Sequence, residues 1–131
     1  MALTVTLLLS ALLLLQGVLT QSGSEYTVSL SVQNTINNLP TLTYTTTIPY
    51  RAILLGAMRK INKADPQNFS FDIREDSNYG PFLVSVNGVA GCNTDHTYWQ
   101  LLKTDGTALD VGVGCYIPDP NETVIFNFTT Y

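Results

Sequence analysis

Hydrophobic and polar side chains alternate at a step of two along much of this chain. Tyr26, Val28, Leu30 and Val32 interleave with Thr27, Ser29, Ser31 and Gln33. A strand turns successive side chains to opposite faces, so this run predicts a half-buried strand. Asn37-Asn38-Leu39-Pro40 interrupts it, and Leu42, Tyr44 and Ile48 then alternate with Thr43, Thr45 and Thr47 as a second strand. From Tyr50 the step changes. Tyr50, Ile53, Leu54, Ala57, Ile61 and Ala64 recur three or four residues apart, the spacing of one amphipathic helix face. Pro49 suits the first turn of that helix. Asp65-Pro66 ends it, because the residue before a proline avoids the helical region.

Alternation returns after the helix. Phe69, Phe71 and Ile73 form a strand pattern, Glu75 to Pro81 carries loop chemistry, and Phe82 to Val86 is strand-like again. Asn87-Gly88 and Asp105-Gly106 are hairpin signals on either side of a strand at Thr97 to Leu102. Leu109 to Ile117 and Val124 to Phe128 complete the set, separated by Pro118-Asp119-Pro120. The pattern predicts an α+β fold: mostly antiparallel β-sheets with one amphipathic helix in a single small domain.

The first two dozen residues stand apart. No charged side chain occurs from Met1 to Ser24, and Leu7–Leu9 with Leu12–Leu15 form an apolar stretch closed by Gln16, Gly17, Thr20 and Gln21. This reads as a secretory signal peptide over residues 1–22, with cleavage between 17 and 24 and an apolar region of about a dozen residues. The run is shorter than the roughly 18–20 residues of a membrane span. Residues 25–131 are then the mature domain, secreted and extracellular. In an oxidising compartment Cys92 and Cys115 are expected to pair, adding about 3 kcal/mol through loop closure. The sequons at Asn68, Asn121 and Asn127 are expected glycosylation sites.

Composition narrows the function. The net charge of −4, with six basic residues in 131, argues against nucleic acid, which calls for a basic face. Four of the six, Arg51, Arg59, Lys60 and Lys63, fall on the helix and read as its solvated side. His96 is the one histidine, no G-x-S-x-G occurs, and two cysteines with one histidine fall short of a zinc site. Asp72, Glu75 and Asp76 read as a solvated strand end. Gly112-Val113-Gly114 lacks the helix that a dinucleotide fingerprint needs and suggests a bulge or close backbone approach. The residues by themselves reach a small secreted α+β binding domain without catalysis.

Several segments carry a resemblance. His96-Thr97-Tyr98-Trp99-Gln100-Leu101-Leu102, followed by Gly112-Val113 and Tyr116-Ile117-Pro118, and Tyr79-Gly80-Pro81-Phe82-Leu83-Val84-Ser85-Val86-Asn87-Gly88, with the ending Asn127-Phe128-Thr129-Thr130-Tyr131, resemble the C-terminal β-domain of the transcobalamin, gastric intrinsic factor and haptocorrin family. The family holds cobalamin between an N-terminal helical domain and this small domain. The resemblance implies a secreted, non-enzymatic cobalamin carrier or scavenger whose helical half is absent. Its implied partners are cobalamin, a separate helical chain or a second copy, and a cell-surface receptor. The alternative is a module that keeps the fold and binds a protein instead.

The resemblance implies two ligand-contacting stretches. One is Asn78, Tyr79, Gly80, Pro81, Phe82 and Leu83. The other runs through Trp99, Gln100, Leu101, Leu102, Lys103, Thr104, Asp105, Gly106 and Thr107 to Leu109. Tyr98 and Trp99 must face opposite sides of their strand. Tyr98 is expected inside and Trp99 toward the ligand. No cobalt ligand is assigned to His96.

Overall fold

The computed structural model describes residues 24–131; the expected signal peptide lies outside the described residues. The chain runs β1 (Tyr26–Asn34), β2 (Leu39–Ile48), α1 (Leu54–Ala64), β3 (Phe71–Asp76), β4 (Gly80–Val86), β5 (Val89–Ala90), β6 (Thr97–Leu102) and β7 (Thr123–Thr130). One sheet has the order β2-β1-β7-β6 and the other β3-β4-β5. All pairings are antiparallel except that of β1 with β7. The α+β expectation therefore holds. No helix among the described residues is long and apolar enough to cross a membrane.

The period-two pattern sorts side chains as expected. Leu30 and Val32 of β1, Val124, Phe126 and Phe128 of β7 and Trp99 of β6 enter one core with Leu83 and Val86 of β4. The helix adds Leu54, Leu55, Met58 and Ile61, while Arg59, Lys60 and Lys63 stay exposed. Phe69 is fully buried in the link after the helix. It packs against Tyr44 at 4.8 Å and Phe71 at 5.8 Å between ring centroids.

Four local expectations are corrected. The helix begins at Leu54, because Arg51 adopts a φ of 64° and Ala52 N–H closes a turn on the Pro49 carbonyl at 3.0 Å. Strand β3 starts at Phe71 and reaches Asp76. The two-residue β5, pairing with β4 across the Asn87-Gly88 turn, is additional. The expected strand at Leu109–Ile117 is a series of bends and turns.

That last difference has a clear cause. Helix α1 has no side-chain cap at Ile53. The first amides of a helix lack internal partners, and Leu54 and Leu55 are too deeply buried for water to supply them. The Tyr116 carbonyl accepts from Leu54 N–H at 2.7 Å and the Val113 carbonyl from Leu55 N–H at 2.9 Å. Val113 and Tyr116 thus spend their carbonyls on the helix, and both side chains enter the core. The Tyr116 hydroxyl donates to Glu122 Oε2 at 2.5 Å, and Glu122 Oε1 accepts from Asp119 N–H at 2.9 Å. Burial and the neighbouring Glu122 carboxylate push the Tyr116 phenol well above its ordinary range.

The expected disulfide is also corrected: Cys92 and Cys115 are both free thiols. Cys92 is held by paired backbone bonds with Thr97 at 3.0 and 3.1 Å. Cys115 sits in the turn closed by its own N–H on the Gly112 carbonyl at 3.1 Å. Each cysteine is fixed by its own local turn.

The orientation expected for β6 is reversed. Trp99 is 6% exposed, packs on Phe128 at 5.1 Å, and donates its indole N–H to the Val89 carbonyl at 2.8 Å. Tyr98 is half-buried on the other face, edge-on to Tyr131 at 5.6 Å. Trp99 reaches across to β5, so one side chain links the two sheets. Trp99→Ala is expected to destabilise the protein by about 3–5 kcal/mol, and Tyr98→Ala by about 1 kcal/mol, measured by denaturant unfolding. Equal costs would contradict this placement.

Candidate functional site

The two sequence-predicted stretches meet at the seam between β4 and β6. A cavity of about 500 Å³ is lined by Tyr79, Pro81, Phe82 and Leu83 on one side. Trp99, Gln100, Leu101 and Leu109 line it on the other. A further cavity of about 340 Å³ shares Phe82, Leu83, Tyr98 and Trp99 with it. The two flank Phe82 and Tyr98, making one extended groove along the seam.

Turn chemistry presents the first wall. Asp76 Oδ1 accepts from Asn78 N–H at 2.8 Å and Tyr79 N–H at 3.0 Å, and these bonds hold its carboxyl below the usual range. Such a side-chain turn fixes the loop without further packing. Gly80 follows with a φ of 76°, a conformation that glycine adopts freely. The result leaves Tyr79 83% and Phe82 51% exposed at the groove. The Arg74 guanidinium lies 5.4 Å from the centroid of the Phe82 ring, an attractive cation–π arrangement that steadies it.

The opposite wall is completed by the segment 109–117, whose spacing predicts a strand. Ala108, Asp110, Val111, Gly112, Val113 and Cys115 line the groove together with Tyr98, and none of the seven is among the ligand contacts that the resemblance implies. The signal present in the sequence was the Gly112-Val113-Gly114 triplet. A Cβ on Gly114 would fall 2.8 Å from Pro81 Cδ and 2.9 Å from its Cγ. The expected close approach is therefore real, and it seats this segment directly on Pro81.

Not every expected contact residue lines the groove. Asn78 and Gly80 shape the loop, and Leu102, Lys103, Thr104, Asp105, Gly106 and Thr107 lie outside the lining. Those from Lys103 to Thr107 close on themselves. Lys103 N–H donates to the Thr107 carbonyl at 2.8 Å, and Asp105 Oδ1 accepts from both the N–H and the hydroxyl of Thr107. These bonds hold the Asp105 carboxyl below its ordinary range, the Thr107 hydroxyl first among them. Leu109 N–H returns to the Leu101 carbonyl at 3.0 Å and closes the hairpin beside β6. His96 is exposed, edge-on to the Tyr131 ring at 5.3 Å.

The groove offers exposed aromatic and aliphatic area at Tyr79, Phe82 and Val111. Polar groups stand beside it at Gln100 and Asp110. This is a surface for a broad, largely apolar ligand with polar groups at its rim. Among the described residues, no group of three or more His, Cys, Asp or Glu side chains is placed to hold a metal ion.

Comparison with known proteins gives a consistent answer. The chain is 30% identical to human transcobalamin-1 over 114 residues, covering 86% of this chain and 25% of that protein. It is 30% identical to human cobalamin binding intrinsic factor, covering 84% and 26%. The crystal structure of haptocorrin in complex with Cbi superposes with a TM-score of 0.73 at 30% identity, over 82% of this chain and 26% of that one. A putative metal binding protein from Ruminococcus gnavus shares the fold alone, with a TM-score of 0.55 and 10% identity over 98% of its own length. The chain thus spans about a quarter of the length of the curated relatives it matches. Residues 52–130 match the family described as "Domain of unknown function (DUF4430)". The chain belongs to that family, and transcobalamin, intrinsic factor and haptocorrin are its homologues.

Proposed function

We propose that this protein is a secreted, non-catalytic cobalamin-binding domain that takes part in cobalamin transport or scavenging. The observation that carries the reading is the groove itself. Two separate stretches, Tyr79 with Pro81–Leu83 and Trp99–Leu101 with Leu109, converge on one cavity in a chain whose homologues are named for cobalamin. In this reading Tyr79 and Phe82 lie against the flat ring of the ligand. Gln100 and the backbone groups of residues 109–113 meet its peripheral amides. Trp99 supports the floor. Asn78 and Gly80 shape the first wall, and the turn Leu102–Thr107 borders the second. The relatives' greater length supports a second, helical chain or another copy on the open side of the groove, with a cell-surface receptor as a further partner.

Aromatic anchors at the centre of a contact typically contribute 2 kcal/mol or more. Calorimetric titration with cyanocobalamin is expected to show saturable binding, by the chain alone or together with a helical cobalamin-binding chain. Phe82→Ala is expected to weaken it by about thirtyfold, while Asp119→Ala on the distant turn leaves it unchanged. Absence of binding in both settings overturns the proposal, as does indifference to Phe82→Ala.

Secretion is part of the same proposal, with residues 1–22 as the signal peptide removed between 17 and 24. Asn68 and Asn121 are exposed, whereas Asn127 sits within β7, an inner strand, with its Oδ1 buried. Expression in a glycosylating eukaryotic cell is expected to release the chain into the medium. It should carry glycans at Asn68 and Asn121 and a bare Asn127, as read by mass spectrometry. Retention of the chain with its first residues intact would contradict this.

A further inference from the structure

The β1–β2 hairpin has a property that the groove does not use. Residues 26–49 contain no charged side chain, although the whole chain carries a net charge of −4. Strand β2 is an edge of its sheet, bordered by β1 on one side only among the described residues. Natural edge strands are usually guarded by charges, bulges or a covering element.

The hydrogen-bonding direction of this edge can be read from its neighbours. Ser29 N–H donates to the Glu122 carbonyl at 2.9 Å, and the Thr27 carbonyl accepts from Asn121 N–H at 2.7 Å. Thr27, Ser29 and Ser31 therefore turn their backbone groups away from β2. Their partners in the register are Thr47, Thr45 and Thr43. In an antiparallel pair such residues form the non-hydrogen-bonded positions, so their own N–H and C=O groups point out of the sheet. The Thr47 carbonyl bears this out: it accepts from Lys60 Nζ at 2.5 Å. Lys60 thus caps one end of the edge, and Pro40, which has no N–H, marks the other. Between them Thr43 and Thr45 present outward backbone groups with no partner among the described residues. Beside this edge Ile36, Leu39 and Leu42 are 43%, 53% and 47% exposed, a concentration of large apolar side chains on one hairpin.

We propose that the β2 edge pairs with the β2 edge of a second copy of this chain, joining the two four-stranded sheets into one. The pairing is antiparallel and two-fold, centred on Thr43. Thr43 faces its own counterpart and exchanges two backbone bonds with it. Leu42 faces Tyr44 of the second copy. The same short segment supplies both sides, as an isologous interface requires. Threonine meets threonine on one face, and an exposed leucine is covered on the other. The absence of charge on this hairpin selects a second copy over a charged partner, since two net-negative chains can meet here without like charges in contact.

Sedimentation velocity of the purified chain over a rising concentration series tests this. The expected result is a shift from the mass of one chain to that of two. Thr43→Pro removes an outward N–H without touching the bonds to β1, a position where an edge strand tolerates proline. It deletes two intermolecular bonds and is expected to weaken the dimer about tenfold or more. Thr43→Lys places two like charges at the two-fold axis and is expected to weaken it as well. Far-ultraviolet circular dichroism checks that each variant is folded, and if one is not, the other decides. A chain that stays monomeric throughout the series overturns the proposal, as do folded variants that associate as tightly as the parent.

Discussion

The first two amides of the helix hold the groove of this domain together. Leu54 and Leu55 are buried, and Ile53 offers no side-chain cap, so their N–H groups must find protein acceptors. A buried donor left unpaired costs about 1–3 kcal/mol. The carbonyls of Tyr116 and Val113 meet that demand. In doing so they pull residues 113–116 out of any ladder and onto the helix. Gly112 and Gly114 then fall against Pro81, and the wall of the groove is set. A capping requirement at one end of a helix thereby shapes a groove built from loops.

A second constraint ties the two sheets. Trp99 belongs to the four-stranded sheet, yet its indole N–H is satisfied by Val89 of the other. Buried tryptophans usually find such a partner, and here the partner spaces β4 from β6. The seam between those strands is the groove. Tyr98, turned to the other face of β6, lines its side. Neighbouring residues of one strand thus divide between the inter-sheet core and the side of the groove.

These same features mark how far the residues alone can be read. The alternation at Tyr26–Gln33, Phe82–Val86, Thr97–Leu102 and Val124–Phe128 survives in the fold, because burial of one sheet face is written locally as a period of two. The Asn87-Gly88 turn survives for a similar reason: both residues take positive φ, 51° and 80°. What failed was decided by distant partners. Leu109–Ile117 has strand-like apolar spacing, but its carbonyls answer to Leu54 and Leu55, more than fifty residues away. Whether Trp99 or Tyr98 faces inward depends on a carbonyl in another sheet. Strand β5 is too short to show periodicity, and the helix start was displaced by the left-handed backbone of Arg51. The resemblance located both groove-forming stretches, while Val111 and its neighbours on the second wall were missed because their glycines read as a strand irregularity.

The seam between β4 and β6 is the proposed cobalamin-binding face. The most direct measurement is an amide correlation spectrum of the nitrogen-15-labelled chain during titration with cyanocobalamin, with a helical cobalamin-binding chain added where the domain alone does not saturate. The expected shifts cluster at residues 79–83, 98–101 and 108–115. Shifts confined to the threonine-rich outer face of β1 and β2, or a spectrum that does not respond in either setting, would contradict that proposal.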